Sequence, residues 1–316
     1  PIETASCEAF TKPPPLSMCT PATWNKNGIT VAGVNGINGS FATHLFQPQG
    51  IFIDQFDNLY VADSENDRIQ KFVQGSNVGV TVAGGNGRGS RTDQLSLPTD
   101  VFVNSVGDII VADYYNNRTQ RWSVDGAQYI TTIDQSSSSR HDGVFGNKQG
   151  DIYVSTFGSG RIVKYSSMNS KIVATDLVYP TGIVVDQCDT VYIADHTQHY
   201  VKKFTNQSLI GTTILGVKNE SGTDSLHLNY PTDITLDLYG NLYIAERLNH
   251  RIQRVNVRDN TVDTILGSAQ GIAGNDSKHL NCAEGIAFDS QWNLYVSDCK
   301  NHRIQKFLFE SGKLYC

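Results

Sequence analysis

The chain has 316 residues, about twice the usual length of one compact domain, so it holds two domains or one large β architecture and needs no disulfides merely to fold. With 25 Lys and Arg against 31 Asp and Glu, a net charge of −6 and a pI near 5.7, it lacks the basic face that phosphate-backbone binding needs, which argues against a nucleic-acid partner. Only 18% of residues are charged, which argues against charge-driven disorder, and no apolar run approaches the roughly 18 residues of a membrane span.

Residues 1–28 read as an irregular leader with a Pro13-Pro-Pro15 run, opening at Pro1 without Met or an apolar signal segment, as expected of a processed mature form. Ile29-Thr-Val-Ala-Gly33 then reads as one short strand. From Pro48 a frame begins: Pro48-Gln-Gly-Ile-Phe-Ile-Asp54, then Asn58-Leu-Tyr-Val-Ala-Asp63, then Asn66-Asp-Arg-Ile-Gln-Lys-Phe72. It returns at Pro98–Trp122, at His141–Tyr165 in degenerate form, at Pro180–Phe204, at Pro231–Val255 and at Ala283–Phe307. Aligned on Gly50, Asp100, Gly143, Gly182, Asp233 and Gly285, the copies recur every 39 to 52 residues, the range of propeller blades and helical-pair repeats.

The content of each copy decides between the two. Its three short runs are rich in Val, Ile, Tyr and Phe, are separated by polar turns such as Asp237–Asn241, and are too short for packed helices. A fourth run follows most copies, as in residues 80–84 and 212–216. Four antiparallel strands per unit make a propeller blade. The sixth copy lacks its own fourth strand, and Ile29–Gly33 is the strand left over. The predicted fold is therefore all-β: a six-bladed β-propeller over residues 29–316, its last blade closed by the N-terminal strand, which hides a sheet edge.

The frame P-x-G-I-x-x-D-x-x-G-N-L-Y-V-A-D-x-x-N-x-R-I-Q-K-F resembles the NHL-repeat family of six-bladed propellers, down to the Asn-His steps at Asn249-His250 and Asn301-His302. Copies three and four depart from it, with Thr156 at the blade Asp and Tyr200 at the Arg. The recurring pairs Asp63/Arg68, Asp113/Arg118, Glu246/Arg251 and Asp298/Arg303 are read as structural, capping a turn and bridging to the next blade. Functional residues should instead break the repeat.

Related propellers include enzymes. Amidating lyases look similar and hold zinc with histidines that follow the strand-opening Pro; the positions here are Gln49, Thr99, Asp142, Thr181, Thr232 and Glu284, so that site is not carried over. Lactonase-like propellers hold calcium with acids at the channel mouth. Asp100, Asp142, Asp233 and Glu284 lie at strand openings and are the candidate oxygen ligands for Ca²⁺. The bland alternative is that Asp ordinarily replaces Gly in this frame. His44, His227 and His279 share one register on blades 1, 5 and 6, but such loops stand too far apart for a tight tetrahedral site. Their neighbours Leu45, Leu228 and Leu280 read as buried anchors. No catalytic set is assigned.

Six cysteines, with N-x-S/T sites at Asn38, Asn117, Asn206, Asn219 and Asn275, favour a secreted glycoprotein. Cys282 and Cys299 flank two antiparallel strands at one end and are the expected disulfide. Cys316 is placed to reach Cys7 or Cys19 and lock the ring, with Cys188 on the same face; the pairing of these four stays open. The reading is an extracellular scaffold that binds a protein or glycan partner, or self-assembles, through its loop faces. The alternative is a divalent-metal-dependent hydrolase or lyase with its site in the central channel.

Overall fold

The computed structural model describes residues 21–312 apart from 125–127, 136–137, 168, 206–207 and 257–258. Six four-stranded antiparallel sheets form the blades. Blade 1 is Pro48–Ile53, Leu59–Asp63, Arg68–Phe72 and Val80–Gly84. Blades 2 to 5 open at Pro98, Arg140, Pro180 and Pro231. Blade 6 is Ala283–Phe288, Leu294–Asp298 and Arg303–Phe307, completed by Ile29–Gly33 in the register Ile29↔Lys306 and Gly33↔Arg303. Ring closure is as the spare strand implied, and it pairs an edge that would otherwise be an open template for aggregation. No helix among the described residues is long and apolar enough to cross a membrane.

The repeated sequence has a local reason at each step. Leu59–Asp63, with all five residues buried, lies between neighbouring sheets and is apolar on both faces. In blades 1, 2, 4 and 6 the blade acid is followed by one 3₁₀ turn, Ser64–Asn66 in blade 1, which ends on Asp67 in left-handed conformation (φ 54°). Asn117, His199, His250 and His302 occupy the same conformation. Asp, Asn and His tolerate it better than β-branched residues do, which explains the residue types found there.

The core is six wedges rather than one centre, each between adjacent blades. Ala32, Ile304 and Tyr295 of blade 6 meet Leu45, Val61 and Phe72 of blade 1. Tyr60 and Val82 of blade 1 meet Leu95 and Trp122 at blade 2. Leu45, Leu95, Leu228 and Leu280 are fully buried, as the frame predicted for three of them, each placing about 1.5–3 kcal/mol of side-chain transfer energy between two blades.

The leader differs from expectation at its end. Thr23–Trp24 pairs with Phe309–Ser311 in a small extra sheet. Trp24 is buried against Tyr243, Phe288 and Phe309, and its indole N–H donates to the Trp292 carbonyl at 2.7 Å. A large aromatic ring gains more by burial than the short strand loses in order, so the packed unit reaches back before residue 29.

Candidate functional site

The first strands of all six blades stand side by side around a central channel. They approach closely because the third frame residue is often Gly: a Cβ on Gly182 would lie 2.6 Å from the Cα of Asp233 in the next blade. Asp100 and Asp233 stand at that position on opposed blades. Asp100 accepts the Val101 and Val144 amides, both at 2.8 Å, and Asp233 accepts those of Ile234 and Ile286, also at 2.8 Å. Each carboxylate thus stitches its own blade to the following one with both oxygens. Burial, then repulsion from Asp233, pushes Asp100 well above the usual carboxylate range, and burial pushes Asp233 up to about 7.

This acidic level divides the channel. On one side lies a cavity of about 300 Å³ walled by apolar groups such as Phe52, Phe102, Phe145 and Phe288. On the other lies a polar vestibule of about 300 Å³, lined by Asp142, Glu284, Arg140, Arg247, Tyr179 and His196, among others. The vestibule is where the blades differ. After the strand-opening residue, Thr99, Thr181 and Thr232 donate their hydroxyls to carbonyls of the next blade, as in Thr99 to Asp142 O at 2.7 Å. Gln49, Asp142 and Glu284 break this pattern, and the two carboxyls, on opposed blades 3 and 6, line the cavity instead.

The electrostatics follow from depth. Burial pushes Asp142 up to about 7, opposed by the Tyr179 hydroxyl and Arg247. Burial also pushes Glu284, only 7% exposed, up to about 7; Arg247 opposes this and Asp142 adds to it. Arg247 Nε lies 3.1 Å from Glu284 Oε1. Opposite, the Arg140 guanidinium sits 4.9 Å from the Tyr114 ring centre and 5.0 Å from that of Tyr115, and donates to the Tyr114 hydroxyl at 3.2 Å. The Tyr114 and Tyr179 hydroxyls are 2.7 Å apart. Burial drives the His196 imidazole down to about 4, so it is neutral at neutral pH. Its Nδ1 is 3.2 Å from the Pro231 carbonyl and is assigned the proton, since a carbonyl can only accept.

Of the four acids singled out in the sequence, all line this channel, but they divide into two kinds: Asp100 and Asp233 are stitches, and Asp142 and Glu284 are lining. Calcium takes six to eight oxygens, and among the described residues no three Asp, Glu, His or Cys side chains are placed to hold an ion. The histidines His227 and His279 do not gather; each holds the Asp three residues before it, Asp224 at 2.8 Å and Asp276 at 2.7 Å, and His44 meets Thr43.

The acid–arginine pairs are structural, with a different reach from that expected. Arg68 holds Asp63 at 2.7 Å and donates to the carbonyls of Ser40, Phe41 and His44, in the connector leading into its own blade. The bridge to the next blade comes from the residue just before the arginine, or before Tyr200 in its place: Asp67, His199, His250 and His302 accept the amides of Leu97, Tyr230, Cys282 and Gln47. A guanidinium offers only donors, and the exposed amide of the next blade needs an acceptor.

The expected Cys282–Cys299 bridge is not formed, and both are buried thiols. The Cys299 amide donates to the Cys282 carbonyl at 3.1 Å, and Cys282, in left-handed conformation (φ 60°), lies just outside the ladder that begins at Ala283 opposite Asp298. Cys188 is half-buried in the Asp186–Asp189 turn. Cys7, Cys19, Cys316 and Asn206 lie outside the described residues. Asn38, Asn219 and Asn275 are exposed in loops, and Asn117 is half-buried.

Sequence reasoning missed Tyr114, Tyr115, Arg140, Tyr179, His196 and Arg247. A signal was present: the residues after the blade acid or its equivalent are Ser64, Tyr114, Phe157, His196, Arg247 and Cys299, no two alike in an otherwise repetitive frame.

Fold and channel define a six-bladed β-propeller with a polar vestibule. The family model of the NHL repeat matches residues 280–307, the heart of blade 6, and six blades of that design support an NHL-repeat propeller. No curated protein matches the chain. Among solved structures, an auxiliary nutrient binding protein from Bacteroides thetaiotaomicron superposes with a TM-score of 0.72 at 14% identity, over 92% of this chain and 77% of its own. One from Bacteroides ovatus gives 0.71 at 15%, over 92% and 78%. Virginiamycin B lyase from Staphylococcus aureus gives 0.60 at 12%, over 86% and 97%. Likeness at such identities shows the fold alone.

Proposed function

We propose that this is an extracellular recognition propeller, holding a macromolecular partner by the vestibule face while the blades serve as a rigid frame. The observation that carries the reading is the concentration of non-repeating polar and aromatic side chains at one mouth of the channel, on strands that otherwise repeat. Solved propellers of similar fold include nutrient-binding proteins, which is in keeping with a binding role. The extracellular setting rests on the cysteine count and the exposed N-x-S/T sites. Secretion would expose Cys282 and Cys299 to oxidation, and non-reducing peptide mapping of secreted protein is expected to find them linked.

The test compares binding of the intact protein to cell surfaces and secreted fluids with that of Tyr115→Ala plus Arg140→Ala, and with Leu238→Asp, a change at an exposed turn residue away from the vestibule. Loss in the first variant alone supports the vestibule. Equal binding in all three places recognition elsewhere.

A second reading, a divalent-metal-dependent hydrolase or lyase, has one observation in its favour. Asp142 and Glu284 are two carboxyls held at about 7 on facing blades, the range suited to proton transfer. Elemental analysis of chelator-free protein, followed by ester, lactone and peptide substrates, separates it from recognition.

A further inference from the structure

The two walls of the vestibule restrict the chemistry of what enters it. On blades 2 to 4 the wall is aromatic: Tyr115 is 50% exposed, Tyr114 and Tyr179 are joined through their hydroxyls, and Tyr179 stacks on Phe157 with 4.2 Å between ring centres. On blades 5, 6 and 1 the wall carries Arg247, Glu284, Gln47 and Gln49. A cationic ligand finds its places taken, because Arg140 already covers Tyr114 and Tyr115 and Arg247 already neutralises Glu284. An anionic ligand meets Asp142 and Glu284 above a floor of Asp100 and Asp233. A neutral polyhydroxyl compound meets acceptors in the carboxyls, donors in the guanidinium and amides, and apolar ring surface in half-exposed Tyr115.

We propose that the vestibule is a saccharide site: one neutral pyranose ring lays its C–H face against the surface that Tyr115 leaves exposed beside Arg140 and hydrogen-bonds its hydroxyls to Asp142, Glu284 and Arg247. This rests on the recognition reading and names its ligand class. A cavity of about 300 Å³ is at the small end of ligand sites, which suits a single ring rather than a buried oligosaccharide. Sugar hydroxyls both donate and accept, and this is what a site with charged groups of both signs rewards. Asp142, Glu284 and Gln49, all lining the vestibule, are the positions where the structural Thr has been given up, at the cost of the hydrogen bond that Thr makes to the next blade in Thr99 and Thr232.

The test uses saturation-transfer NMR on the intact protein with free glucose, galactose, mannose and N-acetylglucosamine, then the same residues as termini of immobilised glycans. At least one sugar is expected to bind; Glu284→Gln is expected to weaken it by about tenfold or more, the scale of one lost charge-assisted hydrogen bond, and Tyr115→Ala by about two- to tenfold, the scale of one aromatic contact. Tyr115 is exposed, so its variant keeps the fold and unchanged melting confirms it. Binding of free sugar and glycan alike makes the ring itself the ligand; binding of glycan alone adds contacts at the rim to the same site. Sugar binding indifferent to both variants overturns the assignment. So does absence of any sugar or glycan binding while a protein partner binds and is lost with Arg140→Ala, and in that case the recognition reading stands without the saccharide. If vestibule variants alter no binding of any kind, both readings fall.

Discussion

Nδ1 of His250 accepts the backbone N–H of Cys282 at 2.9 Å, joining blade 5 to blade 6. His199 does the same for Tyr230 at 3.1 Å, and His302 closes the ring onto Gln47 at 3.3 Å. Each latch needs an unprotonated nitrogen, and burial holds all three imidazoles below their usual range. The folded state therefore binds fewer protons than the unfolded chain below about pH 6.5. The contribution of these groups is intact above that pH and is lost as the pH falls toward their folded values. His302→Asn keeps an acceptor and tolerates the left-handed backbone. Its melting temperature is expected to fall less than that of the parent between pH 7.5 and pH 5.5.

The vestibule acids act with the opposite sign. Asp142, Asp233 and Glu284 are held at about 7, above unfolded values near 4, so the folded state binds more protons between those limits. Stability from this source is greatest at the acid end and is lost as the pH rises through about 7. Asp142→Asn is neutral throughout, so its melting temperature should exceed that of the parent at pH 8 and approach it at pH 5. Equal profiles for the two proteins would show that Asp142 titrates normally.

Arg118 Nε lies 2.7 Å from Asp113, with the Arg118 side chain 7% and the Asp113 side chain 0% exposed. The same guanidinium gathers the carbonyls of Ser90, Arg91 and Gln94. Arg118→Met leaves Asp113 as an uncompensated buried charge and unties the connector, at a cost of about 3–5 kcal/mol. Urea unfolding measures it. The exposed pair Arg91–Asp93 is the control, and its removal should shift the midpoint little.

Gly182 has no room for a side chain. An added Cβ would stand 2.6 Å from Cα and Oδ1 of Asp233 and 2.8 Å from the Thr232 carbonyl. Backbone cannot yield there without widening the ring, so Gly182→Ala is expected to cost about 1–3 kcal/mol. Gly36, with nothing within reach of its Cβ, has φ 75°, so it tests backbone conformation rather than space. A parental melting temperature for Gly182→Ala would show that blades 4 and 5 can separate at the channel.

Much of the architecture was readable from residue order because its causes are local. Strand runs of Val, Ile and Tyr, Asp-x-x-Gly-Asn turns and anchors such as Leu45 and Leu280 each act over a few residues, and six repetitions make the count secure. The spare strand Ile29–Gly33 disclosed the closure because an unpaired edge is costly wherever it occurs. Even the error over the acid–arginine pair was one of reach, since Asp63 and Arg68 do meet.

The vestibule, beyond the acids at its strand openings, was decided by tertiary structure. Tyr114, Arg140, Asp142, Tyr179, Arg247 and Glu284 come from five blades and span most of the chain, and the frame positions that some of them share do not by themselves show that they face one space. They converge because ring closure aims the same strand end of every blade at one axis. Burial near that axis then raises all four acids, while backbone amides hold Asp100 and Asp233 and leave Asp142 and Glu284 to line the cavity. Residue types were enough to build the blades; chemical environment exists only once the blades surround a common space.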